Sequence, residues 1–221
     1  NGGGLKDHSN DELAAIMAGK KVGVGFSMTD RFFLLSGNTN REDLETQLQL
    51  QTAYLMHPGY RQDGVTLLRR AIPMIYNKMD HEVQGAMKKQ VPAILYRNNP
   101  RFTFPTQEQL TSYQVKDVRD WVDAPLKNNY MEVTVTGDFR TEDIIPLLER
   151  TVGAVPKRAE APATLDETLR HPAMADFNFS KDLTYDSSID KTMVCLFWKT
   201  PGGENKKLAR RLNMLKAVFY D

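Results

Sequence analysis

The chain reads as an α+β fold, an antiparallel or mixed sheet with a helical layer, on three observations. Several segments repeat apolar residues at helical spacing, most clearly 63–79, where Val65, Leu68, Ile72, Ile75 and Met79 recur at steps of three and four. Fewer segments alternate apolar and polar residues, the best being Met131, Val133 and Val135 against Glu132, Thr134 and Thr136. These strand patterns occur both as a hairpin and as strand–helix pairs, so helices should cover a sheet that is not purely parallel.

Taken in order, Asn10 caps a short helix over 11–18 that Gly19 ends. Segments 22–26 and 32–35 read as a hairpin turning at Thr29-Asp30, its first strand weakened by glycines. Thr39 with Glu42 three residues on is a capping-box pattern, and a helix then runs over 41–56 until His57-Pro58-Gly59 stops it. The 63–79 helix follows, then one over 82–96 that turns Val83, Met87, Val91, Ile94 and Leu95 inward. Pro73 and Pro92 lie inside these two and should kink or shorten them.

After a loop at 98–105, Thr106 opens a short helix, and 115–126 forms a longer one carrying Val118, Trp121 and Val122. The 131–136 strand turns at Gly137-Asp138 into a helix capped by Thr141 and packed through Ile144, Ile145, Leu147 and Leu148. Residues 153–156 end it. Residues 157–174, rich in Ala, Pro and charge, read as a surface linker. Phe177, Phe179 and Leu183 mark a further strand, 193–198 another, and Thr200-Pro201-Gly202-Gly203 a break. The last helix sets Leu208, Leu212, Leu215 and Phe219 on one face. No terminator precedes Asp221, so the chain reads as a fragment.

Composition excludes several roles. Net charge is +1 with a pI near 8.0, so no global field draws nucleic acid or an anionic membrane. No basic run alternates with aromatics, no apolar run has the ~18 residues a bilayer span needs, and no secretory signal is visible. Cys195 is the only cysteine, which rules out an internal disulfide and a cysteine metal site. Its setting in 192–198 reads as a buried thiol in a strand.

Candidate chemistry is sparse. Zinc hydrolysis takes two imidazoles on one helix face, a third ligand and a carboxylate. The four histidines, His8, His57, His81 and His171, have no second histidine within reach, so neither H-E-x-x-H nor its inverse exists. His81 reads as solvated near a helix start and His57 as a turn residue. Ser36 ends a strand, with Gly37 taking the turn, and is no nucleophile elbow. The Gly2–Gly4, Gly202-Gly203 and Val22-Gly-Val-Gly25 runs lack the rest of any phosphate or dinucleotide motif. Asp138 is a turn residue before it is a catalytic acid. Arg97 and Arg101 are a solvated pair before they are an anion clamp. No catalytic, cofactor-binding or metal-ligating residue is assigned.

The run 34–61 (LLSGNTNREDLETQLQLQTAYLMHPGYR) is followed by Asn99-Pro-Arg-Phe102, Pro105-Thr-x-Glu108-x-Leu110, Trp121, the 133–139 segment closing in Gly-Asp-Phe, and Gly153-Ala-Val-Pro156. In that order and spacing the chain resembles the repeated domain of the pitrilysin/insulinase family of zinc metallopeptidases, bacterial type, over 13–158. Residues 192–220 look like the opening of the next repeat. Active repeats of that family carry the inverse zinc motif on the first helix, where this chain has Asp43-Leu-Glu-Thr-Gln-Leu-Gln-Leu-Gln51. The resemblance therefore implies a non-catalytic repeat over 1–160, a linker over 161–175 and a following repeat from 176.

It further implies a C-terminal-half segment of a zinc metalloendopeptidase, forming part of the wall of a peptide-binding chamber. The fragment itself would be inactive, with zinc in the catalytic repeat of the parent. Its partners would be the catalytic half of the same polypeptide and a peptide substrate. The wording of the first helix points to a periplasmic or secreted location. Two alternatives stand beside this: a non-peptidase relative of the respiratory-complex core-subunit type, and an unrelated α+β binding domain.

Overall fold

A computed structural model describes residues 3–29, 31–176, 178–200 and 205–220. In chain order it contains α1 (Asn10–Ile16), β1 (Gly25–Met28), β2 (Phe33–Ser36), α2 (Leu44–Met56), α3 (Gln62–His81), α4 (Val83–Leu95), α5 (Gln107–Ser112), α6 (Val115–Asn128), α7 (Thr141–Glu149), a 3-10 turn at Val152–Ala154, α8 (Glu167–Arg170) and α9 (Lys206–Tyr220). The fold is α+β and rich in helix, with one small antiparallel sheet. The chain divides into two compact units, Asn1–Pro73 with Gln107–Thr164, and Met74–Thr106 with Leu165–Asp221. No helix among the described residues is long and apolar enough to cross a membrane.

The first unit begins with a capping box built on Ser9 instead of Asn10. The Ser9 hydroxyl accepts from the Glu12 N–H at 3.2 Å, and the Ser9 N–H donates to the Glu12 carboxylate at 2.7 Å. Two orphan donors of α1 are thereby satisfied. The Ser9 backbone N–H, then its hydroxyl, hold the Glu12 carboxyl below its ordinary range.

β1 and β2 form the hairpin in the register Gly25↔Ser36, Phe26↔Leu35, Ser27↔Leu34, Met28↔Phe33, so its first strand lies later than the glycine pattern placed it. The Thr29 hydroxyl accepts from the N–H groups of Arg31 and Phe32 at 3.1 and 3.0 Å and closes the turn. The expected turn residue Asp30 lies outside the described residues. Two strands alone are marginal in water, so the hairpin depends on what it packs against. Phe33 and Leu35 lie on a core of Leu55, Val122 and Leu126, with Met56, Met131 and Val155 around it. A second core joins Leu5, Leu13 and Leu50 with Val22, Val24 and Tyr54.

Where α2 starts is a correction. The helix opens at Leu44, and Thr39 with Glu42 forms no capping box. The Asn40 side-chain oxygen accepts from the Asp43 N–H at 2.8 Å, and the Asp43 carboxylate accepts from the Lys21 N–H at 2.8 Å. Side-chain bonds to nearby backbone compete with the helical pattern, and here they hold residues 40–43 outside the helix. Likewise Arg140, not Thr141, occupies the cap of α7. At the far end of α6, Arg158 donates to the carbonyls of Leu126 and Asn129, supplying partners to the last turn.

α3 runs through Pro73, but its buried row is not the predicted one. Ile72 and Tyr76 are buried, with Val65, Arg69 and Met79 half-buried on the same line, whereas Leu68 and Ile75 are exposed. Both rows satisfy helical spacing, and the chosen one lets the Arg69 guanidinium reach the Tyr113 carbonyl at 2.7 Å.

In the second unit, Tyr76 donates its hydroxyl to the Pro105 carbonyl and its ring lies 5.7 Å from that of Phe104. Tyr96 stacks on Phe102 at 4.1 Å, and the Ala175 N–H donates to the Leu95 carbonyl at 2.8 Å. Within the expected linker, α8 forms with Asp166 accepting from the Thr168 N–H at 2.7 Å.

Three predicted strands are not found. Residues 131–136, 178–183 and 193–198 form no helix or strand and join no ladder, because among the described residues the sheet consists of β1 and β2 alone. Alternation describes a surface that could be half-buried. Hydrogen-bonded pairing needs a neighbour, which local pattern does not supply. Phe177 lies outside the described residues. The missing neighbour also exposes Cys195, against the expectation of a buried thiol, along with Val194, Leu196 and Trp198.

Candidate functional site

α2 is the helix on which the family resemblance places metal chemistry, and its polar side chains are already engaged. Gln47 is 3% exposed. Its amide brackets Gly23: the Gly23 N–H donates to Oε1 at 2.9 Å and Nε2 donates to the Gly23 carbonyl at 2.8 Å. The neighbouring strand end has no room to intrude, since a Cβ on Gly37 would stand 2.1 Å from Nε2.

One turn earlier, Asp43 faces the Lys20 ammonium at 3.8 Å, and that ammonium also donates to the Thr46 hydroxyl at 3.3 Å. Glu45 accepts a fork from Arg150, both contacts at 3.0 Å. Gln and Thr are poor zinc donors, and the carboxylate that could join them is neutralised by a guanidinium. These residues do not fit a zinc ion.

His57, His81 and His171 stand on different elements. His57 is the exposed C-cap of α2, where its carbonyl accepts from Lys6. His81 ends α3 with Nδ1 2.7 Å from the Asn77 carbonyl, and His171 follows α8 with Nε2 3.4 Å from Glu167. Among the described residues, no three His, Cys, Asp or Glu side chains converge.

Asp138 is exposed. Its backbone carbonyl accepts from Arg41 at 3.5 Å, and among the described residues its carboxylate takes no turn donor, so the turn reading of that side chain is not met. Arg97 sits 3.8 Å from Asp176, and Arg101 donates to the Leu169 carbonyl at 2.7 Å while lying over the Phe102 ring. Neither arginine is poised as half of an anion clamp.

Two open grooves lie in the first unit, the second of them along α2. One, of about 550 Å³, is walled by the backbone of 20–25 and by 36–38, where Gly23, Gly25 and Gly37 leave main chain accessible. The other, of about 440 Å³, lies along Gln49, Thr52, Met56 and His57 and is closed by Arg150 and Thr151. Sequence reading missed both grooves. Its available signal was a glutamine set among Leu44, Leu48 and Leu50, opposite the glycine-rich 22–25 segment.

The loop after α2 is strapped to the N-terminal segment. The Gly59 N–H donates to the Gly4 carbonyl at 3.0 Å, and Arg61 donates to the carbonyls of Leu5 and Lys6 at 3.1 and 3.0 Å. Between them Tyr60 takes φ 43°, a left-handed conformation few bulky residues adopt. Burial first, then the Asp123 carboxylate, push the Tyr60 phenol up to about 12.

A phenol with a raised pKa stabilises the fold fully below its unfolded value near 10, and that contribution drains away as pH rises toward 12. Thermal melts should therefore show the wild type losing stability relative to Tyr60→Phe across that window. Parallel curves would refute the assignment.

A family model described as the Peptidase M16 inactive domain matches residues 112–220. The chloroplastic stromal processing peptidases of Pisum sativum and Arabidopsis thaliana are each 21% identical over 145 residues, covering 65% of this chain and 12% of their own length. The chain thus spans about an eighth of the curated relatives it matches. The solved ferredoxin protease FusC, a mutant in complex with Arabidopsis ferredoxin, superposes with a TM-score of 0.56 at 16% identity, over 75% of this chain and 18% of that one.

Proposed function

We propose that this chain, which carries an M16 peptidase inactive domain over 112–220, is a non-catalytic segment of a zinc metalloendopeptidase. In this reading it builds part of the wall of a peptide chamber. The observation that carries it is the Gln47 amide, buried and committed to Gly23 on the helix where a catalytic repeat would hold its metal. Zinc and the catalytic carboxylate then belong to another repeat of the same polypeptide, and this segment offers its two grooves to the substrate. A protease solved with a protein bound supports a substrate of protein nature. The division into a repeat over 1–160, a linker over 161–175 and a following repeat from 176 belongs to the same reading. The relatives are chloroplastic plant proteins, and fractionation of the source cells would decide between that compartment and a periplasmic or secreted one.

Two measurements test it. The purified 221-residue chain should leave a fluorogenic peptide uncut with or without added zinc, and should carry negligible zinc by elemental analysis. Chelator-sensitive cleavage or stoichiometric zinc would overturn the non-catalytic assignment. In the parent protein, a photo-crosslinking residue at Lys21, beside the first groove, should capture a peptide substrate, and one at Glu142 should not. The reverse pattern would overturn the chamber-wall role.

A further inference from the structure

We propose that α9 presents a docking surface for an acidic segment of a partner polypeptide, an inference independent of the chamber-wall reading. α9 carries Lys206, Lys207, Arg210, Arg211 and Lys216 and no acidic residue. The whole chain has a net charge of +1, so everything outside this helix sums to −4. The charge balance that looked even along the chain is therefore polarised, with its positive end on one helix.

The cations at 206, 207, 210 and 211 are exposed and, among the described residues, pair with no carboxylate. Elsewhere oppositely charged neighbours are coupled, as in Lys127 with Asp123, Arg140 with Asp143 and Arg150 with Glu45. An α-helix aligns residues four apart, so Lys206, Arg210, Met214 and Val218 form one row, with Lys207 and Arg211 beside its first half. Met214 and Val218 are 73% and 74% exposed. The row thus reads cationic, then apolar.

That arrangement selects among occupants. A helix that lies on a bilayer buries an apolar face along its length, but here the exposed apolar residues, Met214, Leu215, Val218 and Phe219, are confined to the second half, and Leu208 and Leu212 of the first half are half-buried within the molecule. Guanidinium forks at 210 and 211 suit carboxylates, which they bind in a bidentate way. Four clustered cations also steer an acidic segment from about a Debye length away, roughly 8 Å at physiological salt. The apolar end then accepts a following hydrophobic residue.

The test is anisotropy of a short fluorescein-labelled Glu/Leu peptide titrated with the full 221-residue chain at low and raised salt. The set Lys206→Glu, Lys207→Glu, Arg210→Glu and Arg211→Glu should weaken binding on the order of tenfold or more, and salt should weaken the wild type. A control pair, Lys6→Glu with Lys181→Glu, should change it by less than about twofold. If the reversed helix fails to fold by circular dichroism, the same positions changed to Gln carry the test with the same expectation. Undiminished binding by either set overturns the proposal. So does a preference of the wild-type chain for phosphatidylserine vesicles or polyuridylate over the peptide.

Discussion

Gly85→Ala will destabilise the protein by about 3 kcal/mol, the upper range of overpacking in a tight site. Helix propensity argues the opposite sign, since Ala is favoured over Gly in a helix by about 1 kcal/mol. Sterics decide. Gly85 is buried in the first turn of α4, and a Cβ there would stand 2.3 Å from both Cα and O of Met79 and 2.6 Å from its carbonyl carbon. These are backbone atoms of α3, and only Glu82 separates the two helices. The clash therefore cannot be relieved by turning a side chain. Urea denaturation measures it, with Gly23→Ala as the comparison. A Cβ at Gly23 would meet nothing within 4 Å, so that change should stay within about 0.5 kcal/mol. A raised midpoint for Gly85→Ala would mean that α3 and α4 do not approach as closely as described.

The helices were legible because their evidence is local. Apolar steps of three and four located α3, α4, α6 and α7, and Pro-Gly after His57 marked the end of α2. What failed was choosing between options that satisfy the same pattern. Val65, Ile72 and Met79 fit two adjacent rows of α3. The row that includes Tyr76 and Arg69 won through contacts with Pro105 and Tyr113, residues that sequence spacing does not place beside α3. Strands were read less well for a related reason. The 131–136 and 193–198 segments have the alternation of strands, yet β pairing depends on a second segment, so Val133 and Cys195 are exposed. That α2 contains no histidine could be read directly. How its Gln47 is engaged could not, because the Gln47 bond to Gly23 closes a span of 24 residues.

Gln47→Ala will cost about 2 kcal/mol, because it strips the Gly23 N–H and carbonyl of their partners in a half-enclosed site. Gly37→Ala will cost a similar amount for a different reason: its methyl would stand 2.1 Å from Nε2 of Gln47 and 2.9 Å from the Gly23 carbonyl. The two changes should not add. Removing the amide empties the space that the new methyl needs, so Gly37→Ala should cost clearly less in the Gln47→Ala background. A coupling of about 1 kcal/mol or more in a double-mutant cycle is expected for side chains in such contact. Strict additivity would show that Gly37 and Gln47 do not share that space. The cycle also bears on function. Coupling would mean that the amide, bonded to Gly23, fills the space beside Gly37 and so fixes the 22–25 segment against α2. Introducing one imidazole by Gln47→His should then destabilise the unit without conferring tight zinc binding, because zinc needs three or four converging ligands and no such set of His, Cys, Asp or Glu is found among the described residues. Equilibrium dialysis with zinc reads that directly, and tight stoichiometric binding by Gln47→His would contradict it.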